Sequence, residues 1–134
     1  VLKKLLPAII WAFGILLLIG VPGTYMPKIV SFLEWASPDK IVHFVLFGGQ
    51  SFLILFGYRE QYFKGSRRLQ IATLAIGIGI AYGLLTEVMQ NLVFVGRDGN
   101  LFDFIADTIG AFIGFLAFYL LFRKKITGKG ISKN

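Results

Sequence analysis

The sequence predicts an all-α integral membrane protein, a bundle of four transmembrane helices with a short interfacial helix in the first outer loop. Three observations carry this. Apolar runs cover residues 5–21, 41–58, 69–95 and 104–122, each near or above the ~17–25 residues a helix needs to cross the hydrocarbon core. Hydrophobic residues make up 56% of the 134 and charged residues only 16%, where soluble domains carry about 25% charged. Mean hydropathy is +0.74, and the length suits one domain over 1–134.

The elements follow in order. Lys3 and Lys4 precede the first run, but Val21-Pro22-Gly23 lacks the small-x-small pattern of a cleaved signal, so this run reads as a retained helix. In the loop that follows, Pro27 opens a short amphipathic stretch. There Lys28, Ser31 and Glu34 recur every third position and Trp35 marks the headgroup level. Ser37-Pro38-Asp39 supplies a cap, a proline and a favourable charge for the second span. The third run exceeds the bilayer, so its helix is expected to end around 91–94, giving spans of about 5–21, 41–58, 69–92 and 104–122.

Loop charge sets the orientation. Eleven of the 14 Lys+Arg are Lys3, Lys4, Arg59, Lys64, Arg67, Arg68, Arg123, Lys124, Lys125, Lys129 and Lys133, all on one side. Lys28, Lys40 and Arg97 are left for the other, which predicts cytoplasmic termini. Three basic clusters at one membrane face account for the pI of about 9.9 through anionic lipid, and argue against nucleic acid as a partner. With no Cys, disulfides, thiol catalysis and thiolate metal sites are excluded.

Of the seven acids only Glu60 lies on the basic side; Glu34, Asp39, Glu87, Asp98, Asp103 and Asp107 gather at the opposite one. His43 lies four residues past Asp39 and Asp107 four past Asp103, each about 6 Å further into its span. Glu87 lies 18 residues beyond Leu69, about 27 Å along the third span and a turn short of its outer end. Gln90 stands one turn above Glu87, Thr86 beside it, and Arg97 in the short turn 96–100. Gly79, Gly83, Glu87 and Gln90 share one stripe of the third span; Asp103, Asp107, Gly110 and Gly114 share one of the fourth. Each contains G-x-x-x-G, where missing side chains let helices approach, so the acids are expected to point into the bundle. Intramembrane acids are costly enough to need a partner or a task. Simpler roles stay open for several residues: helix-start charge for Asp39, a capping box with Asn100 for Asp103, a loop pair with Asp98 for Arg97. Gln50, deeper in the second span, is expected to make an interhelical hydrogen bond.

Pro38-Asp-Lys-Ile-Val-His43-Phe, Thr86-Glu-Val-Met-Gln90, Gly96-Arg97 and Asp103-Phe-Ile-Ala-Asp107-Thr-Ile-Gly110-Ala, in that order, resemble the VanZ-like family. That family is named for an accessory factor of teicoplanin resistance. The similarity runs from about 37 to 114. It implies a bacterial cytoplasmic membrane and a cell-envelope setting, and it marks Asp39, Lys40, His43, Glu87, Gln90, Arg97 and Asp103. The family often carries Asn at the position of Asp107, where this chain has a potential charge.

Two functional readings fit. In the first, an outer-face site binds or acts on an envelope lipid or a peptidoglycan-related ligand. His43, Glu87 and Asp107 are its candidate catalytic residues, and Asp39, Lys40, Gln90, Arg97 and Asp103 hold the ligand. In the second, a non-catalytic factor binds a lipoglycopeptide or partner protein and the cluster serves helix packing. A transporter ranks below both, because the midplane offers only Gln50 and glycines and no repeat is visible. One histidine and no cysteine give no metal-ligand spacing, so no metal site is assigned; His43 and the carboxylates are the donors a divalent cation would use. Neither a cofactor, a reaction nor an oligomeric state follows from the residues.

Overall fold

The computed structural model describes residues 2–21, 38–94 and 101–127. The interfacial helix expected near Pro27, together with Arg97 and Asp98, lies outside them. The described residues form five helices: α1 (Leu2–Ile19), α2 (Pro38–Gly57), α3 (Arg59–Lys64), α4 (Arg68–Leu92) and α5 (Leu101–Thr127). All except α3 are long and apolar enough to span a bilayer.

Neighbouring pairs reveal an up-down-up-down bundle. Lys4 lies by Tyr58, and the Trp11 indole N–H donates to the Leu46 carbonyl at 2.8 Å, so α1 and α2 run antiparallel. Gly83 meets Asp107 and Gly79 meets Ala111, making α4 and α5 antiparallel. Gly110 sits against Phe44 and Gly114 against Gly48, so α2 and α5 run parallel. Their seam is the most extensive in the bundle. Its cause is the absence of side chains: a methyl on Gly110 would lie 2.7 Å from the Phe44 carbonyl oxygen, and one on Gly114 would strike the Gly48 carbonyl.

The interior is inverted relative to a soluble protein. Leu17, Leu69 and Leu92 are each more than three-quarters exposed, while His43, Gln50, Ser51, Thr86, Glu87, Gln90, Asp103 and Asp107 are buried. Hydrocarbon accepts the first group, and only the bundle interior can satisfy the second. Tyr82 reinforces α1 by donating its hydroxyl to the Ala12 carbonyl at 2.7 Å.

The connection between the second and third spans is not plain loop. Helix α3 tucks the aromatic pair Tyr62 and Phe63 under the bundle, 5.4 and 5.5 Å from Phe118 between ring centres. With Leu55, Ala72 and Ala75 they form an apolar plug at the end where α1 begins. Burial pushes the Tyr62 phenol above its ordinary pKa, with Tyr119 adding to the effect and Arg68 opposing it.

Gln50 departs from expectation. It is buried, but its Oε1 meets no hydrogen-bond partner among the described residues. It lines an apolar groove of about 270 Å³ between α1, α2 and α4, walled by Ala12, Leu16, Ile54 and Tyr82. The neighbouring Ser51 makes the polar link instead, donating to the Ala75 carbonyl at 3.4 Å.

A buried imidazole and carboxylate cluster

The alternating topology brings the beginnings of α2 and α5 and the end of α4 to one end of the bundle. His43 is five residues into α2 and Glu87 five residues before the last of α4, so both lie about 7–8 Å inside. Asp107 is six residues into α5, at about 9 Å, while Asp103 and Gln90 are only about 3 Å from their helix ends. The cluster therefore has two tiers, three ionisable groups below and Asp103 with Gln90 above.

The lower tier is tightly joined. His43 Nδ1 lies 2.7 Å from Asp107 Oδ1 and 3.9 Å from Glu87 Oε1. An ionised carboxylate only accepts, so with Asp107 ionised Nδ1 is the donor, and in a neutral ring the lone pair then falls on Nε2. All these groups are withdrawn from solvent: exposure is 3% for His43, 6% for Glu87, 7% for Asp103 and 0% for Asp107. One nitrogen of His43 and one oxygen each from Glu87 and Asp103 also lie within 4.8 Å of one another.

Local packing explains the placement. A methyl on Gly83 would sit 2.9 Å from both Cβ and Oδ2 of Asp107, so only glycine leaves room for that carboxylate against α4. The Thr86 hydroxyl turns back onto the Gly83 carbonyl at 2.7 Å, satisfying itself within its helix. Phe47, fully buried one turn below His43, stacks near its ring with centres 6.1 Å apart and interplanar angle 19°.

Of the residues singled out in the sequence, the structure gathers His43, Glu87, Asp103 and Asp107, and it buries Gln90 on the same face of α4. Lys40 is half-buried one turn before His43. Asp39 belongs to the first turn of α2, and its side chain, like Arg97, is outside the described residues. Two contributors were not foreseen. Gly83 acts as the cradle of Asp107 rather than as a general packing residue, and Phe47 walls the imidazole; the i, i+4 spacing of Phe47 from His43 was the available signal.

The sequence profile of the VanZ/LLP1 family matches residues 16–123. The chain belongs to that family. The matched stretch contains every residue of the buried cluster. Comparison with curated proteins and with solved structures gave no match.

Proposed function

We propose that this VanZ-family protein sits in a bacterial cytoplasmic membrane with both termini in the cytoplasm. There it binds the polar part of an envelope lipid or a lipid-linked, peptidoglycan-related ligand at the outer leaflet. The observation that carries the reading is the convergence of His43, Glu87, Asp103 and Asp107, from three helices, into one buried cluster at one end of the bundle. An acid at the centre of a spanning helix costs about 2.5–3.5 kcal/mol on insertion scales and less toward the edge. Three carboxylates kept together at that cost argue for a task. Orientation is supported by Lys3, Lys4, Arg59, Lys64, Arg67, Arg68 and Arg123, which lie at the far end from the cluster. Resemblance to the teicoplanin-resistance factor supports an envelope ligand.

His43, aligned by Asp107, would exchange a proton with a bound hydroxyl or phosphate, with Gln90 and Lys40 lining the approach; Asp39 and Arg97 are assigned to the ligand from the sequence alone. A second reading rests on Asp107 being fully enclosed. In it the cluster clamps α2 to α5, and the protein is a non-catalytic factor for a lipoglycopeptide or partner protein.

Native mass spectrometry of the wild type and of Glu87→Gln, both released from bacterial membranes, separates the two. An envelope lipid retained by the wild type and lost by an equally stable variant supports the binding site. Equal lipid retention with reduced stability in the variant refutes it in favour of the clamp.

A further inference from the structure

We infer that His43, Glu87 and Asp103 together form a binding site for one divalent transition-metal cation. The inference deepens the proposed function, because the cation would present the positive charge that a phosphate- or carboxylate-bearing ligand needs.

Geometry comes first. Donor atoms bound to one cation at about 2.0–2.4 Å can be no further apart than about 4–4.8 Å. One atom from each of the three residues already meets that limit, and all three residues are buried. They come from α2, α4 and α5, so a cation here would join three helices at the level where α4 ends and α2 and α5 begin.

The chemistry of the set narrows the metal. An imidazole with two carboxylates and no thiolate suits Zn²⁺ or Mn²⁺, whereas Mg²⁺ and Ca²⁺ prefer an all-oxygen shell. Asp107 completes the arrangement without being one of the three. Metal-bound histidines commonly donate their other ring N–H to a carboxylate, which fixes the tautomer and raises ligand basicity. The 2.7 Å contact of His43 Nδ1 with Asp107 supplies that bond in the tautomer protonated at Nδ1, which leaves the Nε2 lone pair for the cation.

Charge points the same way. Glu87, Asp103 and Asp107 bring three carboxyl groups to one imidazole, all of them buried. A site so acidic repels an anionic headgroup. A bound dication offsets most of that negative charge, places a Lewis-acidic centre at the site and leaves coordination positions for a ligand oxygen.

The test uses untagged, full-length protein in detergent, stripped with chelator, and titrated with Zn²⁺, Mn²⁺ and Mg²⁺ by calorimetry. One equivalent of Zn²⁺ or Mn²⁺, bound more tightly than Mg²⁺, is expected. Asp103→Asn should weaken it by more than about tenfold, the loss that removing even a supporting hydrogen bond typically brings. Co²⁺ absorption of the wild type provides a check that needs no variant, since nitrogen ligation by His43 shifts its d–d bands. Absence of a stoichiometric site in the wild type overturns the inference, as does affinity unchanged in a folded Asp103→Asn/Glu87→Gln protein. The two readings fail separately. Lipid retention without metal binding removes only the cation site, and metal binding without lipid retention removes only the proposed ligand.

Discussion

Replacing Gly83 with alanine tests whether the helix seam and the buried cluster are one device. The added methyl would lie 2.9 Å from Asp107 Cβ and Oδ2 and 3.3 Å from its Cγ. Comfortable carbon–carbon contact needs about 3.5–4.0 Å, so α4 or the carboxylate must yield by about 0.6–1 Å. If Asp107 yields, its 2.7 Å bond to His43 stretches to about 3.3–3.7 Å, past the range of a real hydrogen bond. Overpacking costs about 1–3 kcal/mol and the lost bond about 0.5–1.5. Gly77→Ala is the matched control: nothing lies within 4 Å of its methyl, and it gains the same helix propensity of up to about 1 kcal/mol. Reversible unfolding in mixed micelles should therefore separate the two variants by about 2–4 kcal/mol, Gly83→Ala being the weaker. The His43 ring should also lose its downfield Nδ1–H resonance in that variant alone. Equal stability of the two variants, with that resonance kept, would show that α4 does not press on Asp107 and would refute the reasoning.

Asp107→Ala should cost about 1–3 kcal/mol by orphaning the His43 N–H, and Asp107→Asn, which keeps an acceptor, should recover most of it in the same unfolding assay. Gln50→Leu should stabilise the bundle by about 1 kcal/mol, because a buried acceptor facing an apolar groove is replaced by an apolar side chain of similar size; a loss of stability would mean the amide has a partner. Alkaline pH tests the plug. Tyr62 has its folded pKa raised above the unfolded 10.0, so its contribution is complete below pH 10.0 and is lost as pH rises through the folded value. Stability should fall more as pH rises above about 10 in the wild type than in Tyr62→Phe.

How much of this could be read from the chain depends on the kind of information involved. Span existence follows from run length, because a bilayer fixes the number of apolar residues required. The convergence of His43, Glu87 and Asp107 follows from the rise per residue once the helices alternate in direction. Side-chain periodicity also shows that Gly79, Gly83 and Glu87 share a face. It does not say which helix that face meets. The tightest seam joins the parallel pair α2 and α5 through Gly48, Gly110 and Gly114, and Gly48, with Phe at both positions four residues away, forms no G-x-x-x-G that would announce this. Helix α3 was hidden because six residues carrying Arg59, Glu60 and Lys64 read as polar connection; only Tyr62 and Phe63 betray a buried side. Gln50 shows the opposite failure. A polar residue in an apolar run implies a partner by rule, but the groove beside α1 supplies none among the described residues for its Oε1.

The placement of the three acids along their helices bears on what each needs. Asp103 is in the first turn of α5, where the N-terminal end of the helix dipole favours a negative charge. Asp107 is a turn deeper, beyond most of that effect, and lies in hydrogen-bond contact with His43 Nδ1 at 2.7 Å. Glu87 has the least favourable position. It lies near the C-terminal end of α4, where the dipole opposes a carboxylate, and its nearest approach to the imidazole nitrogen that serves Asp107 is 3.9 Å. By the dipole term alone, removing charge from Glu87 relieves the bundle, and it disables any cation site. Glu87→Gln is expected to match or exceed wild-type stability in metal-free micelles, and to lose the stabilisation that Zn²⁺ or Mn²⁺ confers on the wild type. A variant destabilised even without metal would instead make Glu87 a structural partner of the cluster, and the dipole argument would fail with it.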